Sequence, residues 1–586
     1  MMRRSLIGVA LAGTVVGTLA LGPEAPERHK PAIPAASGAS HRSGTLVVDR
    51  VDGASEDDLR RVETEIGADL GWLSERTVDE ALAVGEVSDL DAALSVLARD
   101  PRVETAEPDL VLSLDPEETA IVDAPVAPAD GFPNDPLYVK QWHLRAMGAP
   151  DGWAASPRGK GVVVAVVDTG ITRVEDLEGV RILEGASFVP GAKTAADDQG
   201  HGTHVAGTIA QATNNGKGCA GVAPEATLLP VKVLSGAGFG SSAWIAAGID
   251  YAVDEGADVI NLSLGGGYSS VIHNAIKKAH AKGVVVVAAA GNSGRRGVSW
   301  PGALEEAVGV SSVGPSGELA PYSSYGEGVD IAGPGGDKTQ PGGGVFQDTI
   351  DGRGGHHYAE YQGTSMATPH VAGAAAVLLS RGMAPDSVER TLLETAQGDG
   401  KWNEKYGNGR LSLTAALGRS VGKHGSTRFA LAAVFALLVG QLANTGRAFQ
   451  LKSAAFAGWV AGGLFLLEYL PVPDLLVTRL LAHPLLTWPT MLFGPGVSSF
   501  PLWMSAALPA LVGFTLGAFR QTRWLSYGLA CGVAAFLLHG AATGTVAVSL
   551  LPASLVGLWL VGNATLAMLV GLGLAGAQKL EEAGRR

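Results

Sequence analysis

The chain has little of what a disulfide scaffold or a nucleic-acid binder needs. Its two cysteines, Cys219 and Cys531, lie in different halves of 586 residues, which excludes a disulfide framework and a cysteine-based zinc site. Charged residues make up only 17% and aromatic residues 6%. The net charge is −14 without a cluster of Lys and Arg, which argues against nucleic acid as a partner.

The scarcity of charge is concentrated at the end of the chain. Residues 429–586 contain 8 Lys and Arg and 4 Asp and Glu, separated by long apolar runs that predict several membrane spans. Five crossings place the basic loops on one side of the membrane, as the positive-inside rule requires. A sixth crossing at 480–498 would break this agreement, so this Pro-rich stretch is predicted to be interfacial or re-entrant. The predicted spans are at about 429–446, 453–471, 500–519, 524–543 and 547–575.

The N-terminus predicts export. In residues 1–22, Arg3 and Arg4 precede an apolar run that ends in small residues, which is typical of a signal peptide. An uncleaved signal anchor is the alternative. We expect a multi-pass protein of the cytoplasmic membrane, with the lipid bilayer as a partner, the preceding domains outside and Arg586 inside. Anchoring is the predicted role of region 429–578; a transport module and an enzyme site within the membrane are the alternatives.

Residues 44–114 predict a small α+β domain. Strand-like runs at 45–51 and 103–114 enclose helical patterns at 56–66 and 90–99. The following stretch, 115–134, is rich in Pro, Ala and acidic residues and is predicted to be an exposed linker that proteases can reach.

Residues 135–417 predict a doubly wound α/β domain. Its strand-like runs are almost continuously apolar, which is typical of parallel strands that are covered on both faces. The clearest of these runs are 161–168, 227–234, 257–264 and 283–290.

Three polar motifs in this domain carry the residue types of nucleophilic catalysis. Asp168-Thr-Gly follows a strand, His201-Gly-Thr-His204 begins a helix, and Gly363-Thr-Ser365 precedes another helix. A serine hydroxyl is a poor nucleophile, so amide hydrolysis needs an imidazole to take its proton and a carboxylate to orient the imidazole. Taken singly, each residue could be a turn, packing or capping residue. Together they favour a serine hydrolase, and His204 is predicted to be a packing residue.

These motifs resemble those of the subtilisin-like serine proteases, the subtilases, across residues 135–417. The resemblance implies a subtilisin-like, mostly parallel sheet and a serine endopeptidase. It implies that Asp168 orients the ring of His201, that His201 is the general base and acid, and that Ser365 is the nucleophile at a helix N-terminus. Asn292 is implied as the side-chain donor to the oxyanion.

The same resemblance implies a cleft for extended polypeptide substrates. One segment of the cleft would pair with the substrate backbone, and two others would line the primary specificity pocket. Arg295 and Arg296 near this pocket suggest an acidic preference. The implied substrate-binding residues are Gly238, Phe239 and Gly240 at the edge, with Ser263, Leu264, Gly265, Ala289, Ala290 and Gly291 around the pocket.

Residues 44–114 resemble the inhibitory propeptide of the family, which implies that the chain cuts itself in the linker. A permanent accessory domain is the alternative. The catalytic chemistry needs no cofactor, but the resemblance implies a structural calcium ion, for which oxygen ligands are suited. Its implied residues are Asp176, Thr213, Asn215, Lys217 and Cys219.

Overall fold

The computed structural model describes most of the chain between residues 26 and 583. The predicted signal peptide and most of the predicted linker lie outside the described residues. Those described are 26, 28–34, 40–51, 55–72, 82–114, 120–121, 133–154, 158–351, 354–418, 424–464, 467, 476–493, 501–543, 546, 548, 551 and 553–583.

The domain of residues 135–417, called the catalytic domain below, is built on a parallel sheet. Within the described residues this sheet has seven strands in the order β13-β12-β11-β10-β6-β8-β7, and every neighbouring pair is parallel. Each of the four predicted runs contains a strand, so the prediction of a parallel sheet is confirmed. The strands are β6 (Val163–Asp168), β7 (Ala186–Ser187), β8 (Thr227–Lys232), β10 (Val259–Leu262), β11 (Val285–Ala289), β12 (Val308–Val313) and β13 (Ile331–Pro334).

Helices cover both faces of this sheet, so its apolar strand residues are buried on both sides. One helix, Thr364–Leu379, is buried along its whole length. The helices of the domain are α3 (Trp142–Ala146), α4 (Ala149–Ala154), α5 (His201–Ala210), α6 (Ser242–Asp254), α7 (Ser270–Ala281), α8 (Thr364–Leu379), α9 (Pro385–Glu394) and α10 (Leu413–Gly418).

The N-terminal unit is a small antiparallel sheet with two helices. Its four strands continue onto β9 (Phe239–Ser241) of the larger domain, in the order β2-β3-β1-β4-β9 among the described residues. A capping box of Ser55 and Asp58 begins the first helix, which ends at Gly67 in the left-handed region (φ 66°). The elements are β1 (His41–Arg50), α1 (Glu56–Ile66), β2 (Leu70–Trp72), β3 (Leu82–Glu86), α2 (Leu90–Leu97) and β4 (Val103–Ser113).

A hairpin not predicted from the sequence precedes the helix of Ser365. It consists of β14 (Val345–Ile350) and β15 (His356–Tyr361), and the short strand β5 (Ala120–Ile121) pairs with β15. His356 and His357, which follow Gly354 and Gly355 in the sequence, therefore lie in a strand. Nδ1 of His356 lies 2.9 Å from Oδ1 of Asp348.

The C-terminal region is helical. Among its described residues, three helices are long and apolar enough to cross a membrane: His424–Leu442, Arg523–Thr543 and Leu555–Ala583. The predicted span at 453–471 falls partly on a shorter helix that ends at Gly462, because Gly463 adopts φ 68°. The helices are α11 (His424–Leu442), α12 (Arg447–Gly462), α13 (Leu476–Ala482), α14 (Trp488–Phe493), α15 (Ala507–Thr515), α16 (Arg523–Thr543) and α17 (Ala553–Ala583).

Candidate active site

Asp168 and His201 are in direct contact at the carboxyl end of the sheet. Asp168 ends β6 and His201 begins α5. Nδ1 of His201 lies 2.7 Å from Oδ1 of Asp168, and both side chains are fully buried. The same carboxylate oxygen accepts a 2.7 Å hydrogen bond from the N–H of Thr169. A carboxylate held in this way keeps the ring proton on Nδ1, so Nε2 is the nitrogen that can take up a proton.

Ser365 is the second residue of α8 and is almost fully buried. Its hydroxyl donates to the carbonyl of Ser263 at 3.2 Å, and the hydroxyl of Ser263 donates to the carbonyl of Ser365 at 2.7 Å. The Ser365 hydroxyl must give up this hydrogen bond to the Ser263 carbonyl before its proton can pass to a base. The N-terminal turn of α8 presents backbone N–H groups that favour negative charge.

Asn292 is oriented by the residue that precedes Ser365. Its Oδ1 accepts hydrogen bonds from the N–H of Thr364 at 2.8 Å and from the hydroxyl of Thr364 at 2.9 Å. A backbone N–H can only donate, so the atom that faces it must be the amide oxygen. The NH₂ group of Asn292 consequently points away from Thr364. Thr364 was not singled out from the sequence, although its place between Gly363 and Ser365 was the available signal.

The predicted pocket segments lie on neighbouring strands. Ser263, Leu264 and Gly265 follow β10, whereas Ala289, Ala290 and Gly291 end β11 and continue beyond it. Both segments approach Ser299: a Cβ added to Gly265 would lie 3.0 Å from its Cβ, and one added to Gly291 would lie 2.3 Å from its Oγ. Side chains at these two glycines would therefore crowd Ser299.

The predicted acidic preference depends on two arginines near this pocket. The guanidinium of Arg296 binds Glu404, with its Nε 3.0 Å and its Nη2 2.8 Å from Oε1. Arg296 is therefore engaged on the surface with a carboxylate of the same domain.

Strand β4 of the N-terminal unit occupies the groove between the segments 238–240 and 263–265. Leu112 and Ser113 pair antiparallel with Gly240 and Phe239, and the N–H of Leu114 donates to the Gly238 carbonyl at 2.8 Å. On its other side Ser113 forms an antiparallel bridge with Gly265. The strand thus lies between the two segments that were predicted to bind an extended polypeptide.

Two carboxylates of β4 cap helices of the larger domain. Glu107 accepts hydrogen bonds from the N–H of Ser270 at 2.7 Å and from the hydroxyls of Ser269 and Ser270 at the start of α7. Asp109 accepts from the N–H of Ala243 at 3.3 Å in α6. Carboxylates at helix N-termini satisfy backbone donors that have no partner within the helix. The sequence analysis placed these residues in the strand-like run 103–114 but did not predict the capping contacts, because their partners lie far along the chain.

The residues of the predicted calcium site gather around Asp176. This carboxylate accepts hydrogen bonds from the Cys219 N–H at 2.6 Å, Gln211 Nε2 at 2.8 Å and Asn215 Nδ2 at 3.2 Å. Burial raises its pKa to about 7. N–H groups therefore contact both oxygens of the only carboxylate in the predicted set.

The side chains of Lys217 and Thr213, in the loop predicted to supply backbone carbonyls to the ion, have partners of their own. The ammonium group of Lys217 faces Glu175 at 3.1 Å, and the hydroxyl of Thr213 donates to the Gln211 carbonyl at 3.0 Å. No group of three His, Cys, Asp or Glu suited to a metal occurs in the described part of the chain. His204, predicted to be a packing residue, stacks on Tyr361 with ring centres 4.2 Å apart.

Comparison with known proteins gives one family. Residues 159–409 match the family model described as "Subtilase family". Subtilisin Savinase from Lederbergia lenta is 43% identical over 278 residues, which cover 47% of this chain and 97% of that protein. Thermitase from Thermoactinomyces vulgaris is 38% identical over 288 residues, 49% of this chain and 99% of that one. The alkaline protease of Alkalihalobacillus alcalophilus is 37% identical over 363 residues, 59% and 90% of the two chains. The chain belongs to the subtilase family and is a serine endopeptidase of that family.

Proposed function

We propose that the protein is a membrane-anchored, exported endopeptidase that cleaves extended polypeptides through an acyl-enzyme and cuts its own chain after the N-terminal unit. The main support for this proposal is the position of strand β4. It lies as an antiparallel strand between Gly238–Gly240 and Gly265, next to the Ser263 carbonyl that accepts the Ser365 hydroxyl. A polypeptide substrate would bind by the same main-chain pairing.

The proposed chemistry assigns a role to each of four side chains. Ser365 Oγ attacks the carbonyl carbon of the scissile peptide while His201 Nε2 takes the hydroxyl proton, and Asp168 stabilises the resulting imidazolium. The NH₂ of Asn292 and the N–H of Ser365 donate hydrogen bonds to the oxyanion. His201 then gives its proton to the leaving amine, and the C–N bond breaks. Water, activated by His201, hydrolyses the ester and frees Ser365.

The position of the self-cleavage follows from the strands on either side of Ser365. Ser113 lies opposite Gly265 in antiparallel register, and Gly265 follows by two residues Ser263, whose carbonyl accepts the Ser365 hydroxyl. The chain next pairs with β15 through Ala120, and β15 ends four residues before Ser365. We therefore propose a cut between Leu114 and Ala120.

Sequencing the N-terminus of the purified membrane-bound protein tests this cut. We expect a new terminus between residues 115 and 120, and an intact 44–114 region in the Ser365→Ala variant. A Ser365→Ala protein that is trimmed at the same bond would show that another protease cuts it. An uncut wild-type chain would favour a permanent accessory domain.

The proposed membrane anchor is the C-terminal helical region. Its three long apolar helices support anchoring by length and composition. We propose five crossings, with the protease outside the cytoplasmic membrane and Arg586 inside. The segments between the predicted spans that contain Arg447, Lys452, Arg520 and Arg523 would then lie on the cytoplasmic side, which is consistent with the positive-inside rule.

A further inference from the structure

A short basic segment near the N-terminus lies against the catalytic domain, far from the cleft. Lys30 Nζ is 2.6 Å from Oδ2 of Asp330 and donates to the carbonyls of Ala307 at 3.1 Å and Gly328 at 3.2 Å. Asp330 directly precedes β13, so it lies at the amino end of the parallel sheet. Asp168, at the carboxyl end of β6, lies at the opposite edge. The contact is therefore separate from the substrate groove.

Arg28 binds the same carboxylate in bidentate geometry. Its Nε and Nη2 lie 3.0 Å from the two oxygens of Asp330, and Nη2 donates to the Ala307 carbonyl at 2.6 Å. Its Nη1 lies 3.6 Å from Glu389 on α9. Bidentate pairs of this kind are stronger and more specific than single charge contacts. Two acids of the catalytic domain thus converge on one guanidinium.

His29, which lies between Arg28 and Lys30, fixes how this segment aligns on the catalytic domain. The carbonyl of His29 accepts a 2.6 Å hydrogen bond from the N–H of Gly328. Its ring stacks on Trp402, with ring centres 4.1 Å apart. In extended backbone, residues two positions apart point to the same side. The site therefore recognises an extended Arg-X-Lys segment, not an isolated charge.

The buried negative charge of Asp330 is compensated by Arg28 and Lys30. Its side chain is fully buried, and within the described residues its other partner is the N–H of Gly309 at 2.7 Å. Burial pushes the pKa of Asp330 up, but Lys30 and Arg28 outweigh burial and hold the pKa below its usual value. A buried carboxylate that loses its partner is strongly unfavourable. Lys30 Nζ also donates to the Gly302 carbonyl at 3.4 Å. We call the site formed by Asp330, Glu389 and the carbonyls of Gly302, Ala307 and Gly328 the Asp330 pocket.

We propose that the Asp330 pocket is a second binding site on the catalytic domain, specific for an extended Arg-X-Lys segment, and that it retains the N-terminal polypeptide after cleavage. The proposal rests on the self-processing proposed above, because the cut between Leu114 and Ala120 would leave residues 28–34 and the 44–114 unit on one fragment. That fragment then holds the enzyme at two places, the cleft and the pocket.

Two attachments on one polypeptide slow its release. The junction between Pro34 and Ser40 is short, so a segment that leaves the pocket stays at roughly millimolar effective concentration and rebinds. Such coupling increases overall retention by about 10²–10⁴-fold over either contact alone. The protease would therefore stay blocked after the cut until the basic segment is displaced or removed.

The test uses the full-length protein with an engineered cut. In the Ser365→Ala background, a site for a highly specific external protease is placed within 122–130, the detergent-solubilised protein is cut, and loss of the N-terminal fragment is followed on a resin that holds the C-terminus. The test variant is Arg28→Gln with Lys30→Gln. The matched control is Arg60→Gln with Arg61→Gln, which removes two exposed charges from α1 of the same fragment.

We expect the Arg28/Lys30 variant to lose the fragment at least about tenfold faster than the unsubstituted protein, and the control to stay within about twofold of it. Equal half-lives for the two variants would overturn the proposal. Because the engineered cut does not use Ser365, this result is independent of self-processing, whose failure would appear as an uncut wild-type chain.

A peptide competition covers the case in which the Arg28/Lys30 variant does not fold. A synthetic peptide of residues 26–34 is added to the cut protein, alongside an analogue with Gln at positions 28 and 30. Above about 1 mM, the scale of the tethered segment, the natural peptide should accelerate fragment loss and the analogue should not. Equal effects of the two peptides, or no acceleration by either, would contradict the proposal.

Discussion

Asn292 offers a substitution series that separates catalysis from structure. Its side-chain oxygen accepts two hydrogen bonds from Thr364, the neighbour of the proposed nucleophile Ser365. Its NH₂ group is the proposed donor to the oxyanion. Asn292→Ala removes both functions. Asn292→Asp keeps an oxygen for the two Thr364 donors but replaces the NH₂ donor with a second oxygen.

The expected loss follows from the number of donors. The proposed oxyanion site has two donors, Asn292 and the Ser365 N–H, and removing one such donor lowers kcat by roughly 10²–10³-fold, about 2.7–4 kcal/mol. KM should change little, because the bond strengthens in the transition state. Asn292→Ala should also cost about 1 kcal/mol of folding stability, since the Thr364 N–H loses its acceptor.

Asn292→Asp is the decisive member of the series. We expect its kcat to fall at least as far as that of Asn292→Ala, because a negative charge faces the developing oxyanion, while its thermal midpoint stays closer to wild type. Steady-state hydrolysis of a peptide amide and thermal unfolding measure the two effects. A raised KM with unchanged kcat in Asn292→Ala, or near-normal kcat in Asn292→Asp, would refute the oxyanion role.

Two further predictions concern the flanking parts. The carboxylate of Asp49 in the N-terminal unit accepts a 3.1 Å hydrogen bond from Asn274 of the catalytic domain. Burial raises the pKa of Asp49 to about 6. In the bound unit the Asp49 carboxyl group therefore stays protonated to a higher pH than an exposed carboxyl group would. Retention of the cut fragment should therefore be strongest below about pH 4 and weaken as pH rises through about 6, by about tenfold per pKa unit of the shift. Asp49→Asn should flatten this dependence; an unchanged pH profile would contradict the assignment. A reporter that is active only in the cytoplasm should be active when fused after Arg586 and inactive when fused at Gly544; an inactive Arg586 fusion would indicate an even number of crossings.

The sequence predicted those strands and helices that are specified by patterns among neighbouring residues. The apolar runs that end at Asp168 and precede Asn292 are strands because a parallel strand covered on both faces must be apolar at almost every position. Helix α1 was predicted at its observed bounds, since a capping Ser55 and Gly67 mark its two ends. The motifs around His201 and Ser365 predicted residues that the structure places at helix N-termini.

What the sequence did not show depends on contacts between distant residues. Arg28 and Asp330 are 302 positions apart, and nothing near either residue indicates that they pair. The capping of α7 by Glu107 and the orientation of Asn292 by Thr364 also arise only when separate segments meet. The spacing of the predicted calcium residues likewise does not reveal that the Asp176 carboxylate accepts hydrogen bonds from the Cys219 N–H and from Gln211.

Covalent labelling tests the central claim, the assignment of Ser365 as nucleophile, most directly. A phenylmethylsulfonyl fluoride-type reagent is added to the processed protein after the N-terminal fragment has been removed, and the labelled residue is identified by peptide mass spectrometry. We predict one label per chain, on Ser365, in proportion to lost peptidase activity, and neither label nor activity in Ser365→Ala. Near-wild-type hydrolysis by Ser365→Ala, or an inactivating label on another residue, would contradict the account.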